Sequence, residues 1–157
     1  MMIQRQYVTD GVIALLATLT GKPVNERTVP IDPSTGKPVT PPYTLLDPLD
    51  HRTNDNTLAD AHTTAVSEYQ ATFVSGPVPG VPDSRGGPRQ AQWMADRGRK
   101  VLERPADGSS GYAHPLNIPG VSCYWREAYE AGGTSDPADG IITSVIRFRF
   151  FLEETGA

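Results

Sequence analysis

The sequence predicts an α+β fold: a small mixed or antiparallel sheet of about four to five strands, flanked by two main helices and joined by long loops. Three observations predict it. Apolar residues near the amino terminus recur at helical spacing, the last stretch of the chain alternates between apolar and charged residues, and glycine and proline punctuate the segments between. We expect one domain spanning residues 1–157, with long loops at 30–42 and 76–87.

The first helix is predicted close to the amino terminus. Its apolar residues follow one another at helical intervals and would line one face: Val8, Val12, Leu15, Leu16 and Leu19. Gly21 and Pro23 then supply a left-handed cap and a residue that cannot continue a helix. We therefore expect the helix to end there.

Two strands are predicted in the first half of the chain. The segment 43–46 is short and rich in strand-forming residues, and Asp47-Pro48 is expected to end it, with a polar loop from Asp50 to Asp60. Residues 65–74 alternate in polarity. Tyr69, Ala71 and Phe73 would face the core, and Gln70 and Thr72 would face solvent.

A second helix is predicted from Pro88 to about Glu103, because proline suits the first turn of a helix. Its apolar stripe is narrow and consists of Ala91, Met94, Ala95, Gly98, Val101 and Leu102. Trp93 points away from that stripe, among Arg89, Arg97 and Lys100. A large aromatic residue on a charged helix face indicates either a contact with another molecule or cover by a loop of the same chain.

The last two strands are predicted at 121–129 and at the end of the chain. Aromatic residues occur in both parities of the first, with Trp125 and Tyr129 against Tyr124, so we expect a central strand covered on both faces. The final strand would place Ile146, Phe148, Phe150 and Leu152 inward, and Arg147, Arg149 and Glu153 outward.

Composition excludes several classes of function. The net charge of −4 and the pI of about 5.3 argue against a nucleic-acid-binding protein, which needs a basic surface. No segment is long and apolar enough to span a membrane, and the amino terminus does not resemble a signal peptide. A single cysteine, Cys123, cannot form an internal disulfide, so a reducing cytoplasm is the expected place of synthesis.

Charge is distributed unevenly along the chain. Basic residues concentrate in 85–104, whereas acidic residues concentrate in 47–68 and 127–139. Opposite patches on one surface suit head-to-tail self-association, although an ordinary solvated surface of mixed charge has the same composition.

No catalytic or metal-binding pattern emerges. His51 and His62 bracket an acidic loop containing Asp50, Asp55 and Asp60, but the spacing matches no established ligand set. His114 precedes a proline in a loop and is expected to face solvent or bond locally. Cys123 is expected to act as a small apolar residue of a buried strand. Gly36-Lys37 fails as a phosphate loop, because Ile31 and Pro38 replace its required residues. We expect a protein without enzymatic activity, cofactor or metal.

The order of several motifs resembles the tail terminator proteins of actinobacterial siphophages. The central part is Tyr69-Gln70-Ala71-Thr72-Phe73-Val74, followed after a loop by Arg89-Gln90-Ala91-Gln92-Trp93-Met94-Ala95-Asp96-Arg97. Before it stands the segment from Pro42 to Leu49. After it stand His114-Pro115-Leu116, Pro119-Gly120-Val121 and the final alternating strand. The resemblance covers about residues 7–152, and loops 30–42 and 76–87 depart from it.

The resemblance implies a virion structural protein made in the host cytoplasm. Such proteins form a ring, usually hexameric, on the head-proximal end of the tail tube, and contact both the major tail tube protein and the head–tail connector. DNA would pass through the ring without specific binding. The candidate interface residues are Trp93, Arg89, Arg97, Arg99, Lys100, Gln70, Arg147 and Arg149. The alternatives are another neck or tail-completion protein, such as a head–tail stopper, and a small enzyme or binding module.

Overall fold

A computed structural model describes residues 3–54, 63–77, 80, 86–136 and 140–155. Within them the chain forms two α-helices, α1 (Arg5–Thr20) and α2 (Pro88–Arg99), and a short 3-10 helix at Lys100–Leu102. The strands are β1 (Val24–Glu26), β2 (Tyr43–Asn54), β3 (Thr64–Ser75), β4 (Val121–Glu130), β5 (Ser135–Asp136) and β6 (Ile141–Glu154).

The strands build one mixed sheet in the order β1-β2-β3-β6-β4, and the two-residue β5 also pairs with β6. The pairing of β1 with β2 is parallel and the other pairings are antiparallel. Both α-helices pack on one face of the sheet, where side chains of β3 and β6 form the core. We call this the covered face and its opposite the open face. The predicted α+β class is confirmed.

Both predicted helices are confirmed. In α1 the predicted apolar residues are buried, and Gly21 caps the helix with a positive φ of 67°. In α2, Pro88 lies in the first turn and Ala91, Met94, Ala95 and Gly98 are buried. A Cβ atom on Gly98 would lie 2.5 Å from the ring of Phe73, so the helix approaches β3 too closely for any side chain there.

The predicted end of β2 at Asp47-Pro48 is wrong, since the strand continues to Asn54 and occupies the first part of the predicted loop. The backbone amide of Thr44 donates to the carbonyl of Pro23 and therefore points away from β3. Backbone nitrogens alternate in direction along a strand, so the nitrogen of Pro48 points the same way as that of Thr44. Strand β1 pairs only with residues 44–46, so among the described residues no strand pairs beside Pro48. Proline therefore removes no sheet hydrogen bond there.

The prediction of a central, fully covered strand at 121–129 is also wrong. Strand β4 lies at the edge of the sheet, and its aromatic side chains are exposed. The register with β6 shifts between Cys123 and Trp125, which leaves Tyr124 as an extra residue in a bulge. The bulge interrupts strict alternation, so aromatic residues in both parities do not require two covered faces.

The loop at 30–42 forms the expected hairpin-like turn. Gly36 donates its amide proton to the carbonyl of Asp32 over 2.8 Å, and Asp32 donates to Lys37 over 2.8 Å. The loop predicted at 76–87 lies partly outside the described residues. Gly86, which is described there, donates to the carbonyl of Gly140 and joins this region to the start of β6.

Candidate functional site

The predicted interface residues fall into two groups on opposite sides of the sheet. Trp93, with its basic neighbours Arg89, Arg97, Arg99 and Lys100, lies on α2, and we call this group the helix surface. The other three residues lie on the open face, where Gln70 of β3 is paired with Arg147 of β6, and Arg149 follows two residues later. The sheet and its core separate the two groups.

Trp93 presents an aromatic ring at the centre of the helix surface. Its side chain is 43% exposed, because helical periodicity directs it away from the buried stripe of Ala91, Met94 and Ala95. The guanidinium of Arg97 lies 5.1 Å from the ring centroid, a cation–π distance. The described part of the chain therefore leaves Trp93 open to a partner.

The basic helix and one acidic segment meet within the same chain. Arg99 Nη1 lies 3.2 Å from a carboxylate oxygen of Glu130, the last residue of β4. This contact is exposed, so it contributes little to stability. Arg99 is thus paired within the chain. The other basic residues of the helix surface, Arg89, Arg97 and Lys100, form no ion pair with another described residue.

The open face carries a network of charges. Arg149 contacts the carboxylates of Glu68 at 3.4 Å and Glu127 at 3.5 Å. The hydroxyl of Tyr129 donates to Glu68 over 3.2 Å, and Arg147 donates to the side-chain oxygen of Gln70 over 3.3 Å. The two predicted arginines thus contact acceptors on neighbouring strands.

A shallow cavity of about 280 Å³ extends this network toward β2. Its lining combines Asp50 and Arg52 of β2, Val66 and Glu68 of β3, and Arg149 and Phe151 of β6. Asp50 and Arg52 form a contact of 2.7 Å with each other. The cavity therefore presents two apolar side chains between two carboxylates and two guanidinium groups.

Of the three histidines, His51 and His114 lie within the described residues. His51 Nδ1 lies 2.6 Å from the hydroxyl of Ser67, and burial lowers the pKa of His51. Asp55, Asp60 and His62, the other proposed ligands, lie outside the described residues. No group of three or more His, Cys, Asp or Glu residues suitable for a metal ion occurs in the part of the chain that is described.

The prediction for His114 is confirmed, whereas that for Cys123 is wrong in part, because Cys123 lies on the edge strand β4 and not in a buried strand. His114 Nε2 lies 3.0 Å from Glu103, and this hydrogen bond lowers the pKa of the Glu103 carboxyl. Cys123 packs partly buried against the core, and burial raises the pKa of its thiol. The neutral thiol is therefore favoured, as expected of a small apolar residue.

A wider cavity lies beside the uncovered edge of β2, and we call it the edge groove. It has a volume of about 660 Å³. The start of α1, the end of β1 and the second half of β2 line it through Ile3, Gln4, Arg5, Gln6, Thr9, Asp10, Glu26, His51 and Thr53. It exists because β1 stops at Glu26 and Arg27 adopts a positive φ of 61°, so that no strand of the described residues continues along β2.

Sequence reasoning missed an exposed aromatic surface on β4. Tyr124, Trp125 and Tyr129 are 49%, 47% and 41% exposed, and we call them the aromatic edge. Their presence in both strand parities was visible in the sequence, but it was interpreted as burial on two faces. The missing information was the position of β4 at the end of the sheet, which depends on long-range pairing.

No protein-family model matches this chain, and a search of curated proteins finds no significant match. Neither α-helix of the described residues has the length and apolar character needed to cross a membrane.

Proposed function

We propose that this protein is a tail terminator, a structural subunit of a ring that caps the head-proximal end of a phage tail tube. The motifs that resemble this family lie on two elements that follow each other in the fold. The segment 69–74 lies within β3, and the segment 89–97 lies within α2. These two elements pack directly on each other, with Gly98 against the ring of Phe73.

One observation carries the proposal: the protein presents chemically different exposed surfaces in different directions. The helix surface is basic and aromatic, whereas the open face carries paired charges of both signs. A terminator must contact neighbours in its ring, the tube protein below and the connector above. Such contacts are between unlike surfaces, and a ring forms when a head-to-tail contact closes by rotation.

A ring subunit requires contact surfaces that keep fixed positions relative to one another. The sheet supports the proposed contacts on elements rather than on loops, which keeps their relative positions fixed. A capping ring would end tube polymerisation by presenting the tube with a surface to which no further tube subunit adds. DNA would pass through the lumen of the ring.

The experiment is electron microscopy of the purified protein mixed with purified tail tubes, with mass in solution measured by light scattering over a concentration series. We expect a closed ring, or density confined to one end of each tube. Bovine serum albumin at equal concentration controls for nonspecific attachment. Failure to bind tube ends at every concentration would contradict the proposal, and binding to a portal adaptor instead would identify a head–tail stopper.

A further inference from the structure

The aromatic edge is the largest concentration of exposed aromatic side chains in the described chain. All three rings of Tyr124, Trp125 and Tyr129 are more than two-fifths exposed, and they lie within six residues of one edge strand. Tryptophan and tyrosine on a surface contribute disproportionately to protein–protein binding, because they bury a large area at a small entropic cost. This edge has the composition of a contact surface.

Two arginines lie beside the aromatic edge, and one of them is exposed. The guanidinium of Arg104 lies 4.2 Å from the ring centroid of Tyr112 and 5.6 Å from that of Trp125. The guanidinium of Arg126 lies 4.4 Å from the ring of Tyr112. Arg126 is only 5% exposed and donates to the carbonyl of Val101 over 3.0 Å, so it belongs to the interior. Arg104 is exposed and forms no ion pair with a described residue, so it can pair with an acidic group of a partner.

Beyond Arg126, the outer side of the β4 backbone has no neighbouring strand among the described residues. The amide of Arg126 donates to the hydroxyl of Tyr112 over 2.8 Å, whereas that of Ala131 donates to Val145 of β6 over 2.9 Å. Because backbone groups alternate in direction along a strand, the amides of Ala128 and Glu130 point away from the sheet like that of Arg126. The outward amide of Arg126 is thus bound to Tyr112, and the part of β4 beyond Arg126 can accept another backbone segment.

The opposite end of the sheet provides an acidic groove. The edge groove lies beside β2, at the far end of the strand order from β4. Asp10 and Glu26 line it, are exposed, and form no ion pair with another described residue. Arg5, which also lines the groove, donates a hydrogen bond to the carbonyl of Leu49 over 3.1 Å. Two unpaired carboxylates thus remain available to a cation.

We propose that the aromatic edge of one copy of this chain docks into the edge groove of a second copy. Trp125 and Tyr124 would fill the groove, and Arg104 would meet Asp10 and Glu26. The proposal rests on the proposed function, to which it adds the surface that joins neighbours in the ring. It leaves the helix surface and the open-face arginines Arg147 and Arg149 for the tube protein and the connector.

A second copy fits the groove because the two surfaces are complementary and lie at opposite ends of one rigid sheet. Each copy that uses its aromatic edge still has a vacant groove, so the contact is head-to-tail. A symmetric contact between two aromatic edges would instead bring the unpaired Arg104 side chains of both copies toward the same interface, which like-charge repulsion disfavours.

The first test compares the two tryptophans of the chain. Each is nearly half exposed and lies beside an arginine, so truncation should perturb folding equally little. We expect Trp125→Ala to weaken self-association by about thirtyfold in light scattering, the loss typical of an interface tryptophan. Trp93→Ala is the matched control and should keep the wild-type mass. Wild-type association of Trp125→Ala, or an equal loss in both variants, would overturn the inference.

The second test uses mixing, which separates a head-to-tail contact from a symmetric one. Trp125→Ala disables the edge, and Glu26→Arg disables the groove by charge reversal. Each variant alone should be monomeric with a wild-type circular dichroism spectrum. An equimolar mixture should form a dimer and nothing larger, because only one competent edge and one competent groove remain. A mixture that stays monomeric would contradict the pairing of these two surfaces.

A charge exchange completes the test. Arg104→Glu should impair assembly, and the double variant Arg104→Glu/Glu26→Arg should recover it, because the ion pair is restored in reverse. Without recovery, these two residues are not partners. If the wild-type chain remains monomeric at every concentration yet binds tube ends, the inference fails while the proposed function stands. If the chain assembles through this contact but ignores tubes, the proposed function fails instead.

Discussion

The covered face and the open face of the sheet are built by alternate residues of the same strands, yet they differ in almost every property. On β6, Phe148 and Phe150 are completely buried under the helices, while Arg147 and Arg149 are only half-buried on the other side. The covered face excludes water and holds aromatic rings in contact. The open face keeps its charges in reach of solvent. The comparison indicates that one face supplies stability and the other remains available for binding.

The largest expected effect compares two consecutive phenylalanines. The ring of Phe150 lies 6.2 Å from those of Tyr69 and Phe148 on the covered face. Phe150→Ala should lower the free energy of unfolding by about 3–5 kcal/mol, because it removes buried surface and leaves a cavity. Phe151→Ala, on the open face, is the matched control and should cost much less. Equal losses in urea denaturation would break the comparison between the faces.

Gly98→Ala tests how tightly α2 packs on the covered face. Helix propensity alone favours alanine by about 1 kcal/mol. The added methyl group would meet the ring of Phe73, which is fully buried and cannot withdraw. We therefore expect a net loss of about 1–3 kcal/mol in thermal or urea denaturation. Asp96→Ala, two residues earlier on the exposed side, controls for changes in helix propensity, and a stabilised Gly98→Ala variant would refute the close approach.

Tyr69 links the covered face to α1 by a hydrogen bond of 2.9 Å between its hydroxyl and that of Thr9. Tyr69→Phe should cost about 1 kcal/mol at neutral pH. Burial raises the pKa of Tyr69 to about 12 from an ordinary value of 10.0. The unfolded chain thus loses this proton first, so the stability should fall as pH rises from 10 to 12.

The predicted loss of stability at alkaline pH is tested by comparing the wild-type protein with Tyr69→Phe. Tyr69→Phe should lose less stability than the wild-type protein over that alkaline range, in denaturant titrations at fixed ionic strength. Identical slopes for both proteins would show that the buried hydroxyl does not titrate differently in the folded state.

The smallest effect is expected on the open face. Arg149→Ala removes the contacts with Glu68 and Glu127, but the arginine is 39% exposed and such pairs contribute about 1 kcal/mol or less. The loss should shrink further at high salt, as measured by urea denaturation at two ionic strengths. A loss comparable to that of Phe150→Ala would mean that the open face also holds the fold together.

Local periodicity was sufficient to predict the elements with one covered side. Strand β3 places Tyr69, Ala71 and Phe73 inward as predicted, and α2 buries its stripe of small residues. In each case the hydrophobic effect acts on a repeat that the sequence displays directly. The outward position of Gln70, Arg147 and Arg149 followed from the same alternation.

Pairing between distant strands was not predictable in this way. The continuation of β2 beyond Pro48 depends on β1 stopping at Glu26, and the exposure of Trp125 depends on β4 lying at the edge. Likewise, the partners of Arg149 come from two different strands, 22 and 81 positions away along the chain. The candidate residues of the open face were therefore identified individually, without the network that holds them.

The position of β6 in the sheet has a consequence for folding during synthesis. This strand is the last described element, yet it pairs with β3 on one side and with β4 on the other over most of its length. Before it emerges, β3 and β4 have no strand between them, and α2 lacks one of the two strands on which it packs. Because closing such distant contacts is slow, completion of the sheet must wait until synthesis has passed its final residues.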